Sequence, residues 1–412
     1  VYGMQLDGAG AAGFDADRLR RAFALLDGWI DAGVLPGAAA LVARGGQVAG
    51  EAYLGLAHRA EGWPVDSGTI WDVASITKPV TATAAMLLVE RGVLSLDEPL
   101  VQYLPEFADG PYTEYDRAAV TLRHIFAHCS GLPGFLPDNV PLRSAHAPLA
   151  DFVRSWLRAP VLFAPGACHL YSNVGILLAA EVIARAATDT LGRAVAAPMI
   201  EAFHPFVRDE ILAPLGMGAS SLLPPEAWWE RIAWVEDTGQ GAAWEMGNSP
   251  YFRRLGVPWG GLYTRPRDLV RLVDASLPEA AGRGRVGFAP GTGPRLLSPA
   301  TVRTMTTVQF APPDASLDLA PELREGVPSV VRPRVPWGVG WSVREVGEGG
   351  PPGELLAPGA FGHGGSTGTL TWADPASGVA CVLLTNRATA SGWTSERPRL
   401  ALFSNAVLAA AL

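Results

Sequence analysis

The chain has 412 residues, 49% of them hydrophobic and 17% charged, with 47 Gly, 35 Pro and 13 Trp; this composition describes a globular protein of two or three domains with a large core and excludes a disordered one. Lys plus Arg total 32 against 40 Asp plus Glu, a net charge of −8, and without a basic run nucleic acid is not an expected partner. No apolar run approaches the ~18 residues that cross a bilayer, and the three cysteines, Cys129, Cys168 and Cys381, are too few and too scattered for a disulfide framework or a zinc cluster.

The first residues, Val1-Tyr2-Gly3-Met4, show no basic region leading into an apolar stretch, so no signal peptide is expected. On that ground the protein is placed in the cytoplasm, or in the periplasm or medium if a leader has been removed. Residues 37–44 and 47–56 read as two strands joined by Gly45-Gly46, a hairpin signal. From Ser75 the period becomes helical, with Val80, Ala84, Leu87 and Leu88 on one face and Arg91-Gly92 closing the run. Pro79 fits that helix only within its first turn, so Ser75 is expected at a helix N-terminus.

The middle of the chain is helix-biased. Thr121 caps a short helix that Gly131 ends, and 177–187 is a longer apolar helix. Trp228, Trp229, Trp234 and Trp244 crowd one segment, read either as a flap on the core or as an aromatic wall for a hydrophobic acyl or alcohol group. The tail returns to strands at 337–346, 369–373 and 379–385, with a turn at 374–378, long loops at 311–336 and 347–359, and a closing helix at 399–412. Strands at both ends with helices between predict a mixed α/β fold with one antiparallel sheet: an α/β domain from 1–95 and 256–412, and a helical domain from 96–255.

One count stands apart: 31 arginines accompany a single lysine, Lys78. Codon bias accounts for the arginines but not for the survivor. Arginine stays protonated in proteins, whereas a desolvated lysine loses its proton, so a lone lysine marks a place where a titratable amine is needed. Its context is Ser75-Ile76-Thr77-Lys78. On a helix, positions i and i+3 share a face, and a neutral amine within hydrogen-bond reach activates a serine hydroxyl as nucleophile. A helix N-terminus adds backbone N–H groups where an oxyanion forms.

Two further segments carry suitable chemistry. Tyr171-Ser172-Asn173 follows Pro165-Gly166, and none of the other seven tyrosines has an asparagine two residues on. A tyrosine oxygen beside a lysine ammonium can be held as phenolate or can shuttle a proton to a leaving group, and an asparagine amide both donates to and accepts from an acyl-side amide. Phe361-Gly362-His363-Gly364-Gly365-Ser366-Thr367-Gly368 precedes a strand; its glycines admit close substrate approach, and a free strand N–H completes an oxyanion hole.

These three segments, in this order, resemble the serine β-lactamase and penicillin-binding-protein superfamily, most of all its class C β-lactamase and family VIII carboxylesterase branch. The resemblance extends over most of the chain, through Thr121-Leu122-Arg123-His124, Ser130-Gly131-Leu132-Pro133-Gly134, Gly260-Gly261-Leu262-Tyr263 and Trp337-Gly338-Val339-Gly340-Trp341. It implies a β-lactamase-like (DD-peptidase-like) fold, Ser75 as nucleophile, Lys78 as its base, Tyr171 as second general acid and base, and Asn173, His363, Gly364 and Gly365 as substrate-binding positions. The oxyanion hole would be formed by the N–H groups of Ser75 and Ser366, and the course would be acylation of Ser75 followed by hydrolysis, with no cofactor and no metal.

The third motif departs from the pattern. His363-Gly364-Gly365 stands where β-lactamases usually carry Lys-Thr-Gly, and it lacks the fixed charge and the hydroxyl that hold a β-lactam carboxylate. A neutral histidine retains one hydrogen-bond donor for that role. The expectation is therefore a carboxylesterase-like serine acyl hydrolase acting on a small ester, amide or peptide, with weak or no β-lactamase activity. A D-amino-acid peptidase (DD-carboxypeptidase) or β-lactamase is the enzymatic alternative, and a penicillin-binding or sensor module without turnover is the alternative of another class.

Two other patterns carry less. Gly364-Gly365-Ser366-Thr367-Gly368 matches the α/β-hydrolase G-x-S-x-G elbow, but that fold needs a histidine after the serine and none follows Ser366. His124 and His128 have zinc-ligand spacing, yet position 125 is Ile and no third ligand suggests itself; they are read as packing or capping residues.

Overall fold

In chain order the strands are β1 (Met4–Gln5), β2 (Gly37–Arg44), β3 (Gln47–His58), β4 (Trp63–Pro64), β5 (Trp71–Asp72), β6 (Tyr263–Thr264), β7 (Ser342–Glu345), β8 (Glu348–Gly349), β9 (Phe361–Gly365), β10 (Thr369–Asp374) and β11 (Val379–Thr385). They come from a computed structural model that describes residues 3–111, 115–236, 248–278, 286, 295–310, 335–346 and 348–412. The main sheet runs β1-β3-β2-β11-β10-β9-β7-β8, with β4 beside β3, and every pairing in it is antiparallel. Its centre is the junction of β2 with β11, so strands distant in sequence lie side by side.

The hairpin predicted at Gly45-Gly46 joins β2 to β3 with Arg44 opposite Gln47. Both glycines have positive φ, 61° and 83°, the conformation a type I′ two-residue turn demands. The central strands are apolar without a break because both their faces are covered. In β2, Ala39, Leu41 and Ala43 enter one core, and Ala38, Ala40 and Val42 the other. In β11, Ala380, Val382 and Leu384 oppose Val379, Cys381 and Leu383 in the same way. One face is closed by helices Ala16–Asp31 and Arg399–Leu408 through Leu19, Phe23, Leu26, Phe403 and Val407. On the other face, helix Pro266–Ala275 lies against β2, β10 and β11, and helices Thr77–Glu90 and Asn173–Ala187 pack on each other; their Val80, Leu177 and Leu269 share one core.

Three sequence expectations need adjustment. The strand expected over 337–346 is confined to β7, because Gly338 lies so close to the Met305 carbonyl that a Cβ would collide with it, and Gly340 turns at φ 79°. The glycine segment read as preceding a strand is itself a strand, β9, paired with β10. Its glycines serve packing: a Cβ on Gly365 would strike the Val73 carbonyl and the Thr369 hydroxyl, so glycine is what lets β9 lie against the segment leading to Ser75. The closing helix stops at Leu408. Most of the expected loop at 311–336 lies outside the described residues. Among the described residues, no helix is long and apolar enough to cross a membrane.

Candidate active site

Ser75 lies in a single 3-10 turn, Ala74–Ile76, that runs straight into helix Thr77–Glu90 and leaves Pro79 in the first helical turn. The residue before it, Ala74, holds φ at +44°, a left-handed conformation that costs a non-glycine residue about 1 kcal/mol or more. Hydrogen bonds hold it there. Asp72 Oδ1 accepts the Ala74 N–H at 2.9 Å, the Thr77 hydroxyl donates to the Ala74 carbonyl at 2.7 Å, and Thr77 Oγ1 accepts from the Leu262 N–H at 2.9 Å. The serine hydroxyl is thereby set on a stiff corner.

One helical turn on, Lys78 is fully buried. Its Nζ lies 3.0 Å from Ser75 Oγ and donates to the Trp259 carbonyl at 2.7 Å. No carboxylate is within ion-pairing distance among the described residues. Burial lowers its proton affinity well below that of an ordinary lysine. A neutral amine here donates to Trp259 and offers its lone pair to the Ser75 hydroxyl, which is the arrangement a general base needs.

Tyr171 immediately precedes helix Asn173–Ala187, whose N-cap Ser172 accepts from the Gly175 N–H at 2.9 Å and donates to the Pro133 carbonyl at 2.7 Å. Lys78 Nζ sits 4.6 Å from the centroid of the Tyr171 ring, over its face. Burial raises the phenol's proton affinity, with the nearby Ser75 hydroxyl opposing the rise. Both shifts favour the uncharged forms, a neutral amine and a neutral phenol, over phenolate and ammonium. In that state the amine can accept a proton and the phenol can donate one.

The structure also corrects the reading of His363. Its Nδ1 is 2.7 Å from the Gly364 carbonyl; a carbonyl only accepts, so Nδ1 carries the hydrogen. Burial is the main cause that pushes the imidazole down to about 3. Neutral and protonated at Nδ1, the ring offers Nε2 only as an acceptor, and Nε2 lies 3.5 Å from the Tyr171 hydroxyl. The donor expected of His363 for substrate is thus committed to Gly364.

Of the zinc-spaced pair, His124 completes a capping box with Thr121. His128 has φ +55° and accepts the Ser172 N–H at Nδ1, 3.2 Å away. Its ring lies 4.2 Å from that of Tyr171, with Trp337 edge-on at 4.7 Å. Burial, the largest cause, lowers its proton affinity well below that of an ordinary imidazole. His128 therefore backs Tyr171, a role its spacing to His124 does not announce.

Two cavities open at Ser75, Tyr171 and Ser366, which border both. The larger, about 440 Å³, is walled by His363, Gly364, Gly365 and Trp337. The smaller, about 340 Å³, is walled by Asp72, Phe135, Arg143, Asn173, Phe252 and Trp259. Placed between them, a carbonyl carbon at Ser75 Oγ would have room for one substituent on each side, with the backbone N–H groups of Ser75 and Ser366 as candidate oxyanion donors.

The expected tryptophan wall is elsewhere. Trp228 and Trp229 pack on Ile70, Ile232 and Tyr263, Arg253 and Arg254 cover the Trp229 ring, and Trp234 meets His58; none of the three lines either cavity. Trp244 lies outside the described residues. Phe135, Phe252 and Trp259 take that place. Sequence reasoning also missed Asp72, a buried carboxyl raised to about 7 chiefly by desolvation, although it stands three residues before the serine.

Comparison with known proteins adds relatives to this geometry. The Beta-lactamase family profile matches residues 22–404. Esterase EstB of Burkholderia gladioli is 28% identical over 387 residues, spanning 86% of this chain and 86% of its own. Penicillin-binding protein 4 of Amycolatopsis lactamdurans is 28% identical over 372 residues, spanning 88% and 84%. The crystal structure of a penicillin-binding protein homologue from Caulobacter crescentus shares the fold, with a TM-score of 0.70, 22% identity and coverage of 96% and 98%.

Proposed function

The chain belongs to the Beta-lactamase family and is a serine hydrolase; from that premise we propose that it is a carboxylesterase-like acyl hydrolase working through an acyl-enzyme on Ser75, with weak or no β-lactamase activity. The observation that carries this reading is the buried Lys78 amine, 3.0 Å from Ser75 Oγ and, among the described residues, without a carboxylate partner.

The neutral Lys78 amine takes the Ser75 proton as Oγ bonds to the carbonyl carbon of the substrate, and the carbonyl electron pair moves to oxygen between the N–H groups of Ser75 and Ser366. Collapse breaks the bond to the leaving oxygen, which takes its proton from the Tyr171 hydroxyl; the Lys78 proton then restores Tyr171. Water repeats the sequence, releasing the acid and Ser75.

Ester preference over β-lactam follows from His363. With Nδ1–H bound to the Gly364 carbonyl and Nε2 only an acceptor, the third motif offers a substrate carboxylate neither charge nor side-chain donor. The likeness to EstB supports the ester reading. The likeness to penicillin-binding protein 4 supports a second reading, in which a β-lactam or D-amino-acid peptide acylates Ser75.

The test incubates the protein and Ser75→Ala with p-nitrophenyl butyrate, nitrocefin and a D-Ala-D-Ala peptide, following turnover and intact mass. Ester turnover that vanishes in Ser75→Ala is the expected result. Peptide or nitrocefin turnover exceeding ester turnover favours the second reading, a stable adduct without turnover replaces both with a binding module, and turnover that survives in Ser75→Ala overturns the assignment.

A further inference from the structure

The smaller cavity beside Ser75 contains a cation that nothing described so far uses. Arg143, from the short helix Asn139–Ser144, is one of its lining residues. The guanidinium is held in place by three neighbours: its Nε donates to Asn139 Oδ1 at 3.1 Å, and its carbon lies 5.7 Å from the Phe135 ring centroid and 5.6 Å from that of Phe252. Burial lowers its proton affinity, with Tyr251 the only group acting the other way. Among the described residues no Asp or Glu pairs with it, whereas Arg91, Arg123, Arg185, Arg254 and Arg267 each meet a carboxylate.

Arginine cannot escape this position by losing its proton. A partly desolvated guanidinium without a counter-ion is therefore a site preorganised for an anion, and its planar fork suits a carboxylate. The acidic group sharing the cavity does not fill that role. Asp72 gives Oδ1 to the Ala74 N–H, and the cation acting on it is Arg253.

The orientation of the substrate follows from the proton donor. The Tyr171 hydroxyl faces His363, which lines only the larger cavity, so the leaving oxygen is protonated toward that side and the acyl chain extends into the smaller one. We propose that the acyl pocket recognises an acyl group ending in a carboxylate, bound by Arg143 between Phe135 and Phe252: the substrate class is half-esters of dicarboxylic acids, the aromatic rings flanking the methylene chain. This rests on the Ser75 acyl-enzyme reading above, with the carboxylate on the acyl side and not where a β-lactam carries it.

The experiment compares p-nitrophenyl half-esters of succinic, glutaric and adipic acid with neutral p-nitrophenyl esters of equal chain length, in the wild type, Arg143→Gln and Arg143→Lys. At the chain length that fits best, the wild type is expected to favour the half-ester in kcat/KM. That preference should fall about 30-fold or more in Arg143→Gln, mainly through KM, and should be partly restored in Arg143→Lys. A wild type that disfavours every half-ester, or an Arg143→Gln variant with the same preference, overturns the proposal. Binding of monomethyl glutarate to Ser75→Ala by calorimetry reads the site without catalysis. Its loss in Ser75→Ala/Arg143→Gln supports the anion site even if no ester is turned over, and absence of binding to Ser75→Ala refutes it. Failure of the Ser75 reading appears separately, as half-ester turnover that persists in Ser75→Ala.

Discussion

Two cations are buried in the same apolar core, and they are treated in opposite ways. Arg185, in helix Asn173–Ala187, is 1% exposed and bound to Glu181 at 2.9 Å and Glu106 at 3.0 Å. Lys78, in the helix packed against it, is 0% exposed and meets a hydroxyl, a carbonyl and the face of the Tyr171 ring, with no carboxylate in ion-pairing distance among the described residues. A guanidinium keeps its charge, and at Arg185 two carboxylates balance it. An ammonium left without them sheds its proton instead. The first region is structural for that reason, and the second is poised to accept a proton. Arg143 is the intermediate case: it keeps its charge, has no counter-ion among the described residues and lines a cavity.

The contrast can be broken most severely by Lys78→Arg, which keeps charge where a base is needed. A loss of about 10⁴-fold in kcat/KM for p-nitrophenyl butyrate is expected, with the fold retained by circular dichroism. Activity near wild type would show that the charge, not the lone pair, matters at Lys78.

Arg185→Met attacks the other member by leaving Glu181 and Glu106 unpaired. About 3–5 kcal/mol of stability should be lost in urea titrations, while the folded fraction keeps its ester turnover within about twofold, since the site is remote. Loss of turnover without loss of stability would dissolve the distinction between the two regions.

A smaller effect concerns pH. Between the depressed proton affinity of folded Lys78 and the unfolded value of 10.5, the unfolded chain binds more protons. Stability should therefore rise with pH across that window, by up to about 1.4 kcal/mol per unit. Lys78→Met should remove this increment when the two unfolding free energies are compared at pH 7 and pH 9. Identical slopes would mean that Lys78 is charged in the fold.

The smallest change tests the stiff corner. Ala74→Gly relieves the φ of +44° and should stabilise the protein by about 0.5–1 kcal/mol in the same titrations. Destabilisation would show that the Ala74 methyl, not its strain, dominates there.

How much of this was legible before the structure follows from how local each feature is. Ser75 and Lys78 are one helical turn apart, and Gly45-Gly46 is its own turn, so sequence spacing contains them. The partner of Lys78 at Trp259 comes from 181 residues away and is a backbone carbonyl, which no side-chain pattern encodes. The tautomer of His363 is set by another carbonyl, that of Gly364. Strand β9 escaped notice because glycines give no alternation of side chains, although their absence is what allows Val73 and Thr369 to approach. Arg143 is one of 31 arginines; only the fold shows that no carboxylate pairs with it among the described residues. Trp228 and Trp229 left two readings open, a flap on the core or a wall at the site, because clustering in sequence does not say what the rings face; they pack on Ile70 and Tyr263.

Because Lys78 is the only lysine of the chain, its protonation can be read without assignment. Protein grown with lysine labelled at ¹³Cε should give one side-chain resonance, followed by NMR from pH 5 to 11. A single signal already at the neutral-amine shift at pH 7, titrating well below 10.5, is the expected result. A resonance that stays at the ammonium shift and titrates at the ordinary lysine value would contradict the assignment of Lys78 as the base for Ser75.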